Sequence, residues 1–279
     1  MFMVVAQANE IKVIIGYSPG GGTDYVVRTV VGDSQKDSDI NYVVENRPGA
    51  SGSIAIRQYL ENTDKKILGV SGGQVFYETF INPENNFLDT LIMVGPVLYS
   101  PMALGIASNA KIKTISDLFN KSIPKQRINI ATAGGANELL VEVLKKHSHH
   151  DIVSVRFKSS GDAYTALLGN HVDFQSAEYG FFKTKQVPVM LVAGRSVDNV
   201  PSLRTHIKDS DIVNFFGFSV SKDSRLPTVE NSIRSSFVKN NRKEFFDKIG
   251  YYTDMNVNND YLAREMLPKY KTFSAMIVK

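Results

Sequence analysis

Apolar positions along this chain switch repeatedly between a period of two and a period near 3.6, and each switch is marked by glycine or proline. IKVIIGY (11–17) is a β-branched run that stops at Ser18-Pro19-Gly20-Gly21-Gly22, which predicts a buried strand ended by a turn. DYVVRTVVGDS follows with Val26, Val27, Val30 and Val31 at helical spacing, and Thr23 and Asp24 stand where an N-cap is expected. The order repeats in NYVVEN (41–46), the glycine-bearing turn RPGASG (47–52) and a helix SIAIRQYLEN beginning near Ser51 or Ser53. KILGVSG (66–72) is a third strand ending in small residues. Three such units in succession predict an α/β fold with a mainly parallel sheet.

Further along, LIMVGPVLYSPMALGIA (91–107) reads as two apolar segments split by Pro96 and Pro101, and TISDLFN (114–120) begins a capped helix. INIATAGG (128–135) is a strand ahead of the helix ANELLVEVLKKH; DIVSVRF (151–157) is a strand ahead of the serine-capped helix SSGDAYTALLG (159–169). HVDFQSA (171–177), VPVMLVA (187–193) and FFGFSVS (215–221) are predicted strands, and LPTVENSIRSSFVKN (226–240) and NDYLAREMLPKYKTF (259–273) predicted helices. Breaks near 105–110 and 215–220 predict hinges, so that residues 9–105 and 218–279 form one lobe and 106–217 a second. At 279 residues the chain is long enough for both.

In parallel α/β sheets ligands bind beyond the carboxyl ends of the strands. Both glycine turns stand there, and each opens a helix. Backbone amides in such a turn, aided by the helix dipole, form a donor array for an anion. The turns around Gly21 and Gly49 are therefore expected to close on one carboxylate or phosphate from opposite sides, with Thr23 and Ser51 adding hydroxyls. Either turn by itself serves equally well as a plain strand–helix connection; two in consecutive units favour the shared site. Neither G-x-x-x-x-G-K-[ST] nor G-x-G-x-x-G fits, because Thr23, Asp24 and Tyr25 follow Gly22. Asp24 would repel a multiply charged phosphate, and a single carboxylate is compatible if Asp24 turns into its own helix.

Composition narrows the classes. With 43% hydrophobic and 22% charged residues the chain is globular, not disordered. The net charge of +4 is spread along the chain, whereas a nucleic-acid binder would concentrate it. The absence of cysteine removes disulfides, thiolate metal sites and cysteine nucleophiles. No H-E-x-x-H occurs, and neither catalytic residues, cofactor nor metal is expected. KKHSHHD places His147, His149 and His150 at a helix end, which reads as a solvated terminus in preference to a metal site. No apolar run reaches the length of a membrane span. Ala6-Gln7-Ala8 has the small-x-small form of a signal-peptidase site; residues 1–8 are then a signal remnant and the mature chain is periplasmic, an arbitrary start being the alternative.

The stretches IIGYSPGGGTD, YVVENRPGASGSIAI and SSGDAYTALLGNHVDF together resemble the Bug-type solute-binding proteins of tripartite tricarboxylate transporters. That family carries an aromatic-x-PGG-x-[ST]-D loop, an E-N-[RK]-PGA-[GS]-G loop and a later A-L-L-G-G-x-V-D segment, and order and spacing match over almost the whole chain. The resemblance implies a type II periplasmic-binding fold, two α/β lobes with a ligand cleft between them. It also implies a binding protein that hands a small mono- or dicarboxylate to membrane permease subunits, a role needing only a monomer. Carried onto this chain, it implies Tyr17 beside the ligand, Gly21, Gly22 and Thr23 on its carboxylate, and Asp24 as the loop aspartate. Gly49, Ala50, Ser51 and Gly52 would form the opposing jaw, Ser71 and Gly72 the end of the third strand, and Gly134, Ser159, Ser160 and Asp173 the second-lobe contacts.

The departures fall on the second lobe. The family's G-[ST]-x-x-H stretch is replaced by Gly134-Gly135-Ala136-Asn137-Glu138, and its asparagine-proline-serine stretch after Asp173 by Phe174-Gln175-Ser176-Ala177-Glu178-Tyr179. If Glu138 or Glu178 faces the cleft, a second ligand carboxylate is repelled and a hydroxyl, amine or neutral end preferred. Two other functions remain open on the same scaffold: a ligand-sensing extracytoplasmic domain, and an enzyme drawing on Asp24, Asp173 and Glu138.

Overall fold

The apolar runs at the start of the chain fold as their periods predict. In the computed structural model, which describes residues 9–75, 87–208, 210–255 and 264, β1 (Asn9–Ile15) leads into α1 (Gly22–Asp37) and β2 (Ile40–Asn46) into α2 (Ser53–Glu61). β3 (Lys66–Ser71) completes the group. Val26, Val27, Val30 and Val31 of α1 are at most 3% exposed, and burying each contributes ~1.5–3 kcal/mol. The helix begins two or three residues earlier than its polar residues suggested. Its N-cap is Gly21, so Thr23 and Asp24 lie inside the first turn.

β4 (Leu91–Ile106) is a single strand where two were expected. A register shift against its neighbour between Val94 and Leu98, with Gly95 at φ +72, accommodates Pro96 without ending the strand. Then follow α3 (Ile115–Phe119), β5 (Arg127–Thr132), α4 (Ala136–His147), β6 (Asp151–Arg156) and α5 (Ser160–Leu168). Thr114 and Asp117 form a reciprocal capping box on α3. β7 (Phe174–Glu178), α6 (Tyr179–Lys185), β8 (Val189–Val192), β9 (Val213–Ser221), α7 (Pro227–Lys239), α8 (Arg242–Lys248) and β10 (Tyr252–Asp254) complete the elements used below. The helix predicted over 259–273 lies outside the described residues.

The strand order is β2-β1-β3-β9-β4-β7-β5-β6, with β10 and β8 also paired to β4. Two parallel sets, β2-β1-β3 and β6-β5-β7, share one topology although the sequence has no repeat of fixed period. Between them stand β9 and β4, antiparallel to their neighbours, so the sheet is mixed where a mainly parallel one was expected. β4 carries the chain across: Leu91 to Pro101 pair with β9, and Met102 to Ile106 with β7. One core packs α1 and α7 on the first set, with Val13, Val27, Ile233 and Phe237 buried; another packs α4 on the second set through Ile130, Leu140, Leu144 and Phe174.

The histidine cluster is packed against the protein and not fully solvated as expected. His150 is 5% exposed, its Nδ1 accepting the Gln126 amide at 3.2 Å and its Nε2 meeting the Asp117 carbonyl at 3.2 Å. His147 and His149 reach the carbonyls of Val143 and Ile123. Among the described residues no group of His, Cys, Asp and Glu has the arrangement of a metal site, and no helix is long and apolar enough to cross a membrane.

Candidate ligand-binding site

The carboxyl ends of β1, β3, β5, β6 and β7 converge on one cavity of about 380 Å³ of non-atom space, part of it open to solvent. From the first parallel set come Tyr17, Gly21, Gly22 and Thr23 after β1, Ser71 at the end of β3 and Gly73 just after it. The second set contributes Ala133, Gly134, Ala136 and Asn137 after β5, Ser159 and Ser160 after β6, and Glu178 at the end of β7. Asn214 and Phe216 of β9 close the remaining side.

α1 meets this cavity with its first turn uncapped by any side chain. The opening amides of a helix have no intrahelical acceptor, so they are donors for whatever the cavity holds. Gly22 keeps that face bare: a Cβ there would stand 3.2 Å from the Phe216 ring and 3.3 Å from Glu178 Oε2. Asp24 turns away from the cavity lining. Its Oδ2 accepts the Gly20 amide at 3.0 Å, and its Oδ1 accepts Arg28 Nε at 2.8 Å and Asn46 Nδ2 at 2.9 Å. It is a loop fastener, tying the glycine turn to α1 and to the end of β2.

The second glycine turn stands behind Tyr17, whose hydroxyl donates to the Ser51 carbonyl and accepts from Ser71 Oγ, each at 3.2 Å, and Ser51 Oγ lies 3.4 Å from where a Cβ on Gly134 would be. Gly49, Ala50, Ser51 and Gly52 all have positive φ, from 46° to 137°. Holding Ala50 and Ser51 there costs about 1–3 kcal/mol each, a strain the surrounding contacts must offset. None of these four residues lines the cavity, and Gly72 is packed against Phe215 while Gly73 takes the lining position.

Across the cavity, Ser159 caps α5 by accepting the Asp162 amide at 3.1 Å, and Ser160 Oγ accepts Asn137 Nδ2 at 3.3 Å. Asp173 stands at the other end of β7, where it accepts the Asn129 amide at 2.8 Å and serves the strand start. Glu138 is buried in the first turn of α4, accepting Thr132 Oγ1 at 2.7 Å and Arg156 Nε at 3.3 Å, and does not line the cavity. Glu178 does. It is 3% exposed; Oε1 accepts Asn214 Nδ2 at 2.5 Å, and Oε2 has no hydrogen-bond partner among the described residues. Burial pushes its carboxyl above the ordinary glutamate range, and the Asn214 hydrogen bond offsets only part of that.

The two halves touch beside the site. A Cβ on Gly135, which has φ +56, would come within 2.9 Å of Gly73 Cα, so glycine on both loops permits the approach. Sequence reasoning placed Tyr17, Gly21, Gly22, Thr23, Ser71, Gly134, Ser159 and Ser160, all of which the cavity brings together. It passed over Asn137, Asn214 and Phe216. Of the two glutamates weighed for the cleft, Glu178 lines the cavity and Glu138 does not.

The family model for the tripartite tricarboxylate transporter family receptor, TctC, matches residues 26–188, more than half of the chain. Among curated relatives, the protein BugT of Bordetella pertussis is 23% identical over 230 residues, 80% of this chain and 64% of its own length. A protein from Agrobacterium vitis is 23% identical over 247 residues, 81% of this chain and 71% of its own. The match spans 51% of the length of a further relative, from Bordetella bronchiseptica, and 64% of BugT, about half to two thirds of each. Of solved structures, the periplasmic binding protein BugD superposes with a TM-score of 0.82 at 20% identity over 97% of this chain and 98% of its own. MatC from Rhodopseudomonas palustris with bound malate gives 0.78 at 17% identity over 96% and 98%. These likenesses show the fold, that of a two-lobed periplasmic binding protein. With the family match, the chain belongs to the TctC, or Bug-type, tripartite tricarboxylate transporter receptor family.

Proposed function

We propose that this protein is a periplasmic solute-binding protein that captures a small carboxylate in the cavity between its two strand sets and delivers it to a tripartite tricarboxylate-type permease. The observation that carries the reading is the uncapped first turn of α1, whose amides face a small cavity lined from the other side by Asn137, Ser159 and Ser160. Gly21, Gly22 and Thr23 hold the carboxylate; Tyr17, positioned by Ser51 and Ser71, lies along the ligand; Gly134 closes from the second half. Relatives of this fold with malate and with adipate support a carboxylate class. The receptor family supports binding without turnover.

The two lobes, 9–105 with 218–279 and 106–217, close by a hinge, and the ligand favours closure because it contacts both. The change of partners along β4 between Pro101 and Met102 supports a division close to that point. The test is thermal unfolding after co-purified ligand has been stripped by unfolding and refolding. Mono-, di- and tricarboxylates, amino acids, sugars and phosphates are compared. A ligand at 100 times its Kd stabilises by ~2.7 kcal/mol, several degrees in the midpoint. Shifts by sugars or phosphates and by no carboxylate would overturn the reading.

A further inference from the structure

We propose that the ligand carries an ammonium group one or two carbons from its carboxylate, and that Glu178 Oε2 receives it. This rests on the carboxylate reading above and narrows it to an amino acid or closely related amino carboxylate.

Three observations converge on Glu178. First, its two oxygens are not equivalent. The Gly73 amide donates to Asn214 Oδ1 at 3.1 Å, which orients the Asn214 amide so that its Nδ2 donates to Glu178 Oε1. Oε2 is left as a fully buried acceptor with no partner among the described residues, on a side chain that lines the cavity. Second, no Lys, Arg or His is among the residues lining the cavity, so the lining supplies no counter-charge for this carboxylate. A buried carboxylate is stabilised by a cation, and a ligand ammonium supplies the one the lining lacks. Third, Oε2 stands 3.3 Å from where a Gly22 Cβ would be, beside the open amides of α1. Donors for a carboxylate and an acceptor for an ammonium are thus neighbours, and a ligand spanning both has the two groups close together. A second carboxylate in that place would face Glu178 without a cation to separate them.

The experiment compares matched pairs by calorimetric titration of the stripped, refolded full chain: propionate with alanine and β-alanine, succinate with aspartate, and methylamine and ethylamine as probes without a carboxylate. The amino member of at least one pair is expected to bind tenfold or more tightly than its deaminated partner. In Glu178→Gln that ratio is expected to fall toward one. Equal binding within every pair, binding of neither amino acids nor amines, or a preference that survives Glu178→Gln would overturn the assignment. The wild-type pairs decide the matter even where the variant folds poorly. If carboxylates bind with no amino preference, the Glu178 assignment falls and the carboxylate reading stands. If the simple amines bind as tightly as the amino acids and lose binding in Glu178→Gln, the carboxylate reading falls and Glu178 remains a cation receptor.

Discussion

Asn214 ties Glu178 to the opposite strand set, donating to Glu178 Oε1 at 2.5 Å while accepting the Gly73 amide at 3.1 Å. A carboxylate is thereby held at the junction of both halves with one oxygen paired and one not. Such a group binds at the expense of stability, because in the unliganded protein its charge has no cation to offset burial.

That cost has a pH signature. The folded-state value of Glu178 is raised above that of the unfolded chain. Below the ordinary glutamate value, about pH 4, both states are protonated and the penalty is absent. As pH rises the unfolded state ionises first and stability falls until the folded-state value is passed. Glu178→Gln is expected to stabilise the unliganded protein by about 1–3 kcal/mol at neutral pH, with the gain vanishing in acid. Denaturant titrations at the two pH values measure it; an equal gain at both would show that ionisation is not its cause.

Gly135 bears on the joining of the halves. With φ +56 and a Cβ that would approach Gly73 Cα to 2.9 Å, Gly135→Ala is expected to weaken ligand binding tenfold or more. Tenfold corresponds to about 1.4 kcal/mol. The thermal midpoint of the unliganded protein is expected to fall as well, because alanine is strained at this φ with or without ligand. Calorimetric titration and melting of the same variant separate the two effects. Unchanged affinity would mean that the ligand-bound protein does not use this contact.

Asp24 is expected to matter for the loop before it matters for the ligand. Asp24→Ala leaves the Gly20 amide without its acceptor and takes one of two acceptors from Asn46 Nδ2, which keeps the Tyr17 carbonyl, at a cost of about 1–3 kcal/mol by urea denaturation. Asp24→Asn, which keeps one carbonyl oxygen, is expected to lose less. Were the two variants equally stable and both unable to bind carboxylate, Asp24 would be a ligand residue after all.

Asp37 at the end of α1 gives an independent acid transition. It accepts Ser236 Oγ at 2.7 Å and Asn240 Nδ2 at 2.6 Å and pairs with Lys239, all of α7 or its cap, and these bonds lower its pKa to about 2. A lowered folded-state value stabilises above the unfolded value and is lost as pH falls from about 4 toward 2. Asp37→Asn is expected to flatten this part of the acid-unfolding curve, followed by circular dichroism. An unaltered curve would show that the α1–α7 junction does not depend on this charge.

What the chain declares by itself is local. Periodicity located β1, α1, β2, α2 and β3, because a buried face leaves its imprint on every second residue of a strand and every third or fourth of a helix. The glycines after β1 announced a bare helix start, and eight of the cavity residues followed from that and from the family's motifs. The rest required the chain to fold back on itself. Pro96 and Pro101 looked like breaks, yet long-range pairing with β9, β7 and β8 carries β4 through both. α6 and α8 span only seven residues each, too few for a period to stand out. The 49–52 turn and Asp173 lie outside the cavity lining: the turn stands behind Tyr17, and Asp173 precedes the strand whose far end carries Glu178. Asn214 and Phe216 carry no local mark of a site, since their place beside β3 and β7 is set by antiparallel strands inserted between the two parallel sets. Patterning records which face of an element is buried; what that face meets is decided only when distant strands pair.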